Sequence, residues 1–425
     1  MGPGAEPVAR ARSGRCVVRP LGPRRLAERK PLPLPENARV LLLVPDPHAR
    51  FAAVELSGDF VAEEVLERGY GLCTYVFAWT PEREPVEALS RYLGGYGDLR
   101  MRPDLATVFP LEDGVFAVVC DVEWPDGSPV EVAPRQVLTD ELRALEELGF
   151  VPSVGIEHEV TFSADGEPLT PHGVDYALGG AERLRPLLRD LRERLAPLRV
   201  ESARGECHPG QYEIVLRHRD ALAACDDAML QQLVVRNTAA EHGVTASYLA
   251  APATGQGNSC HVHLSLSPAA LEPFLAGVLR EARALTAIWA PTWNSYVRLR
   301  TGPFSPRALR WGVDDRTAAV RVAGSGAGRR LEFRFAGADA QPHLVVAALL
   351  AAGRAGIEEG LAPPPEGEQV GELCATPWEA LAALEETKVL GAELLDQQRA
   401  LLRAEIDAGC DAVSDWQRRR GALRA

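Results

Sequence analysis

The sequence predicts an α+β protein, with a small strand-rich unit at the amino end and a larger domain of strands and helices behind it. Three observations carry that reading. Short apolar runs with turn residues between them crowd the stretch from Val40 to Val122. Long segments with helical spacing recur later, at Ala181 to Leu195, Asp220 to His242 and Pro342 to Gly360. Before and between those helices lie four strands of one design, each with an apolar face and a face of Glu, His, Arg or Gln.

In chain order, the first 35 residues are rich in Pro, Gly and Arg, without hydrophobic periodicity, and read as a disordered tail. They hold no apolar h-region, which argues against a secretory signal. Order is expected from Arg39, with Val40–Val44 a buried strand and Pro45-Asp46-Pro47 a loop. Strands are expected at Phe51 to Leu56 and Gly71 to Ala78, with a short helix at Phe60 to Arg68 between them. Val115 to Val122 is a strongly apolar strand leading to a Pro-Asp-Gly turn at 125–127, and Pro134-Arg135 closes the unit. The expected division is therefore a tail over 1–35, a small unit over 36–135 and a main domain over 136–425.

In the main domain a helix is expected from Leu138 to its glycine stop at Gly149, then a strand from Val154 to Phe162 with Glu157 and Glu159 on one face. The Ala181 helix should stop near Pro197. A strand through Gln211 to Leu216 follows, with Gln211 and Glu213 opposite Tyr212, Ile214 and Leu216. After the Asp220 helix, two glycines at 255 and 257 feed a strand whose His261, His263 and Ser265 face away from Val262, Leu264 and Leu266. A helix over Pro273 to Ile288 follows, then Arg316 and Arg321 around a Thr-Ala-Ala-Val segment. The fourth patterned strand, Arg330 to Phe335, sets Arg330, Glu332 and Arg334 against Leu331, Phe333 and Phe335. Beyond Pro363 the chain is acidic and helical.

Composition narrows the function classes. A net charge of -13 argues against nucleic acid as a partner, since phosphate backbones demand concentrated positive charge. Lys30 and Lys388 are the only lysines, so a Walker A loop or a pyridoxal Schiff base is disfavoured and anion recognition falls to Arg. The eight cysteines are scattered without a C-x-x-C pair, the pattern of reduced cytoplasmic usage. No apolar run approaches the ~18 residues that a membrane span needs.

One such strand reads equally as a surface strand with incidental histidines; four of them point to a site. Converging carboxylates repel one another unless cations sit among them. Glu157, Glu159, Glu206, Glu213 and Glu332 with His261 make an oxygen-rich donor set that suits Mg²⁺ or Mn²⁺ better than Zn²⁺. Arg298, Arg316, Arg321, Arg330 and Arg334 add charge for an anionic substrate, the electrostatic solution for phosphoryl transfer.

Several motifs then occur in the order seen in glutamine synthetases: Gly155-Ile156-Glu157-His158-Glu159, Pro209-Gly210-Gln211-Tyr212-Glu213, His261-Val262-His263, Asn294 to Leu299 and Arg330 to Arg334. The chain resembles that family from about 95, at Gly97 to Asp104, to 361, with a weaker echo at Val413 to Trp416. The resemblance implies a β-grasp amino-terminal domain, a catalytic domain with a curved antiparallel sheet flanked by helices, and homo-oligomeric rings, hexamer or dodecamer, with sites between neighbouring subunits. It implies that Glu159, Glu206 and Glu213 hold one metal and Glu157, His261 and Glu332 the other. It assigns His263, Ser265, Arg316 and Arg330 to ATP, and Gly257, Arg298, Arg321 and Arg334 to glutamate, with Arg316 and Arg321 catalytic at the transferred phosphoryl group. The implied chemistry is activation of the glutamate side chain as γ-glutamyl phosphate, then attack by ammonia.

The departures from the family shape the expected acceptor. Glutamine synthetases carry a flap glutamate in a Gly-Tyr-Glu-Ala-Pro context that takes a proton from ammonium; here the run is Gly302-Pro303-Phe304-Ser305-Pro306. Phe304 accepts no proton, but its ring suits the alkyl part of an organic amine, or its ammonium by cation–π attraction of about 0.5–2 kcal/mol. Ala251 stands where a lysine is usual and Asn258-Ser259 where the family has Ser-Gly. With Trp311 to Thr317 and Gly337 to Pro342, these features look most like the γ-glutamylamide branch, which joins glutamate to polyamines, ethanolamine or related amines. The alternatives are an ammonia-using glutamine synthetase and a catalytically silent relative with a structural or regulatory role.

Overall fold

The computed structural model describes residues 35–424 except 36, 178–181 and 303. The expected tail, bar its last residue, lies outside the described residues, as do Ala181 and Pro303. Among the described residues the first unit is a six-stranded mixed sheet. Arg39–Pro45 pairs antiparallel with Phe51–Ser57 and parallel with Val115–Glu123. Val40, Leu42 and Val44 are buried against Val61, Val65 and Phe77, so the helical segment 58–68 fills the concave side in a β-grasp arrangement. The expected strand over Gly71 to Ala78 is corrected. It ends at Cys73, and Thr74–Phe77 is a 3₁₀ turn fixed by the Thr74 hydroxyl donating to the Tyr92 carbonyl at 2.6 Å.

A helix spans Pro134–Glu147, four residues earlier than its expected start, because Pro134 sits at a first-turn position where a missing N–H costs nothing. The second sheet has ten strands among the described residues. Its main path runs Trp311–Val313, Val320–Ala323, Arg330–Phe333, Cys260–Ser267, Val151–Ala164, Gln211–Leu216 and Val200–Gly205. The four patterned strands are thus direct neighbours. Val200–Gly205, not expected from sequence, completes a hairpin with Gln211–Leu216.

The apolar face of this sheet packs on helices. Val262, Leu264 and Leu266 are buried with Phe274 and Leu275 of the helix Leu271–Glu281, and with Leu349 of the helix Pro342–Glu359. The expected helix Pro273 to Ile288 is therefore two pieces, Leu271–Glu281 and Thr286–Trp289. Tyr212, Ile214 and Leu216 face Leu230 and Val234 of the helix Ala221–Glu241, whose start is capped by Asp220 accepting the Ala223 N–H at 3.1 Å. With one face of the sheet buried in this way, its register is fixed and the polar residues are forced onto the other face. No helix of the described residues is long and apolar enough to cross a membrane.

Candidate active site

Strand register alone brings the polar faces together. Glu213 stands directly across from Glu159, His261 from Glu157, His263 from Glu332, and Glu332 from Arg321. On the far side of the Gln211 strand, Arg204 faces Glu213. Opposed carboxylates such as Glu159 and Glu213 destabilise a sheet unless cations intervene. The row lines a cleft of about 330 Å³.

All the carboxylates expected from sequence are there. Glu157, Glu159, Glu206, Glu213 and Glu332 line the cleft with His261. His263, Arg316, Arg321 and Arg330 line it as well, and so do Gly257, Arg298, Arg334 and Phe304. Ser265 does not. It lies beyond His263 in an adjoining recess of about 340 Å³ that also contains His218 and Arg330.

The candidate donor atoms group differently from the two expected trios. Among the described residues, donor atoms lie mutually within 4.8 Å in Glu157, Glu213 and His261, and again in Glu157, His263 and Glu332. Glu157 is common to both. The reason is geometric: His261 and His263 sit on the strand beside Glu157, whereas Glu206 lies past the end of the Val200–Gly205 strand.

Each carboxylate is held in its own way. The His261 and His263 rings lie 3.6 and 3.0 Å from the Glu157 oxygens. Against the upward push of burial, these imidazoles keep the Glu157 carboxyl well below the usual range. Glu159 Oε2 accepts the Ser259 N–H at 2.7 Å and Gln211 Nε2 at 3.1 Å, and Gln211 also ties down the Gly257 carbonyl at 2.7 Å. Glu332 is bridged by Arg321 and Arg334, one on each oxygen, and although burial pushes its carboxyl up, His261 and Arg334 bring it down. Glu213 is the exception. Its buried Oε1 lies 3.0 Å from Arg204 Nη2 but off the N–H direction, so no hydrogen bond forms. Burial, then the neighbouring Glu157, push its carboxyl up to about 9.

The arginines divide by what they touch. Arg298, 1% exposed, gives Nη1 to the Phe335 carbonyl at 2.8 Å and leaves Nε buried without a partner. Burial lowers it to about 10. Arg330 donates Nε to His263 Nδ1 at 3.1 Å. Arg316, exposed in the cleft, pairs with no carboxylate among the described residues. Phe304, 55% exposed, follows the helix Trp293–Thr301 that carries Arg298. A Cβ at Gly302 would come within 2.8 Å of the Arg298 carbonyl, so only glycine allows that close exit.

Sequence reasoning missed Arg204 and the aromatic rim residue Tyr176, whose ring centroid lies 5.3 Å from the Arg204 guanidinium. The signal for Arg204 was its two-residue spacing from Glu206, which sets both side chains on one face.

Comparison with known proteins agrees with this geometry. Residues 131–421 match the glutamine synthetase catalytic domain. A γ-glutamylethanolamide synthetase of Streptomyces coelicolor is 37% identical over 91% of this chain and 92% of its own length. A glutamate–isopropylamine ligase of a Pseudomonas species is 31% identical over 74% of this chain and 78% of its own. The solved structure of GmaS with ADP superposes with a TM-score of 0.80 over 91% of this chain and 97% of its own, at 24% identity, a likeness of fold. The half-barrel sheet, its row of acids and these relatives together establish that the chain belongs to the glutamine synthetase family.

Proposed function

We propose that this protein is an ATP-dependent ligase that phosphorylates the side-chain carboxylate of glutamate and joins it to an organic amine, releasing a γ-glutamylamide, ADP and phosphate. The observation that carries the reading is Phe304 on the rim of a cleft lined mainly by glutamates, histidines and arginines. Two relatives named for ethanolamide and isopropylamide formation support the same class of acceptor.

The residues fit a pair of hard divalent ions. Glu213 has a buried oxygen without a hydrogen-bond partner, and the donor set is carboxylate with single imidazoles. Glu157, Glu213 and His261 would hold one Mg²⁺ or Mn²⁺, with Glu159 and Glu206 beside it, and Glu157, His263 and Glu332 the other. Such ions, when bound, neutralise phosphoryl oxygens. On this reading Arg316 contacts the transferred phosphoryl group, and Arg330, His263 and Ser265 serve the nucleotide side. Arg298, Arg334 and Arg321 orient glutamate, and Gly257 lets its backbone approach. The side-chain carboxylate of glutamate attacks the γ-phosphorus as the bond to ADP breaks. The amine nitrogen then attacks the acyl carbon, phosphate leaves, and the nitrogen gives up a proton. Phe304 packs the alkyl part of the amine and offers no base for ammonium.

A cytoplasmic ring of identical subunits completes the reading, with native mass as its check. The acceptor is tested by phosphate release with ethanolamine, isopropylamine, putrescine and ammonium compared at saturating glutamate and ATP. An organic amine is expected to give the highest kcat/KM; ammonium ahead of every amine would overturn the reading.

A further inference from the structure

Besides Glu332, which Arg321 and Arg334 bridge, two further acidic residues in the cleft are matched by one arginine of the chain. Arg204 stands across the hairpin from Glu213, with Nε 2.7 Å from Glu206 Oε1 and Nη2 3.0 Å from Glu213 Oε1. Its other flank lies on the Tyr176 ring, 5.3 Å from the centroid. A guanidinium stays charged at any pH the fold survives, so this positive charge cannot be titrated away. The Glu206 and Glu213 side chains are 13% and 2% exposed and the Arg204 side chain 35%, so water screens the contact from the arginine side alone.

We propose that Arg204 is a positioning residue that competes with the divalent ion for Glu206 and Glu213, and so sets how tightly the ion is held. An ion at Glu213 must share that carboxylate with the guanidinium or displace it, and a neighbouring positive charge opposes its entry in either case. The guanidinium lies on the Tyr176 face while it contacts the acids, so cation–π attraction helps to hold it beside them. The inference rests on the reading of the acids as a metal seat. It adds that this seat is weaker than its carboxylates alone would make it.

The test is Mn²⁺ binding, followed by the loss of the free-ion paramagnetic signal, to the full-length protein without nucleotide, glutamate or amine. Arg204→Gln is expected to bind Mn²⁺ roughly tenfold more tightly than the wild type, the scale of one charge-assisted contact. Arg204→Lys, which keeps the charge but loses the fork, is expected to tighten binding only a few-fold. A merely structural role predicts weaker binding in both variants, because a disturbed hairpin scatters the ligands. Should Arg204→Gln fail to fold, Arg204→Lys decides: binding tighter than wild type sustains the inference, equal or weaker binding overturns it. Equal Mn²⁺ binding in all three proteins sinks the role of Arg204 and leaves the metal seat standing. No Mn²⁺ binding in any of them removes both.

Discussion

At the scale of the residue, Glu213 states the electrostatic problem of the site most sharply. It is 1% exposed, faces Glu159 across the sheet, and has its carboxyl pushed up to about 9 by burial and by Glu157. An acid whose folded value exceeds its unfolded value of ~4.3 binds its proton more tightly when folded. The metal-free fold therefore loses stability from this group as pH climbs from about 5 to about 9. In chelator, the wild type is expected to lose melting temperature relative to Glu213→Gln across that window, and saturating Mn²⁺ should shrink the difference. A wild type that gains on the variant as pH rises would show that the Glu213 carboxyl is held charged. The residues proposed as ligands on the patterned strands, Glu157, Glu159, Glu213, His261 and Glu332, were legible in the sequence because alternation assigns side chains to faces. Their grouping around Glu157 was not, since it depends on which strands are neighbours and in what register.

At the scale of the element, the patterned strands could be read because strict alternation of Val, Ile, Leu and Phe with polar residues leaves one arrangement that buries the apolar set. Val200–Gly205 escaped because an edge strand with a largely exposed face carries no such pattern. The helices were visible, but the crossing that holds them was not. The Leu271–Glu281 and Pro342–Glu359 helices meet glycine to glycine, where a Cβ on Gly356 would lie 2.1 Å from the Pro273 carbonyl and 2.8 Å from Gly277 Cα. Neither contact is with a flexible side chain, so the helices must separate to admit a methyl group. Gly356→Ala is expected to destabilise the fold by about 1–3 kcal/mol, more than the ~1 kcal/mol that alanine returns in helix propensity. Denaturant unfolding checks this, and a raised midpoint would show that the crossing has slack. Gly421, in the exposed helix Asp415–Ala422 with nothing near its would-be Cβ, should tolerate the same change.

At the scale of the molecule, the small unit is bolted to the large one by buried polar groups, a feature no local sequence pattern announces. Arg135, 3% exposed, reaches Asp104 and Asp121 in the first unit and Asp226 in the helix Ala221–Glu241, which also meets His343 at 2.9 Å. Gln341 and Gln397 donate to the Asp46 and Phe77 carbonyls across the same joint, each at 2.8 Å. Arg135→Ala leaves the buried Asp226 with His343 alone and is expected to cost about 3 kcal/mol, with partial recovery on adding Asp226→Asn; a loss below ~1 kcal/mol in chemical denaturation would mean the joint is held by its apolar contacts. The second sheet sets the acids and arginines around one cleft, and the central claim is that this cleft makes a γ-glutamyl phosphate for an amine. The most direct measurement supplies glutamate labelled with ¹⁸O in its side-chain carboxylate, together with ATP and ethanolamine, and weighs the phosphate released. One label per phosphate, matched by γ-glutamylethanolamide formed, is the expected result. Unlabelled phosphate, or release that ignores the amine, would contradict it.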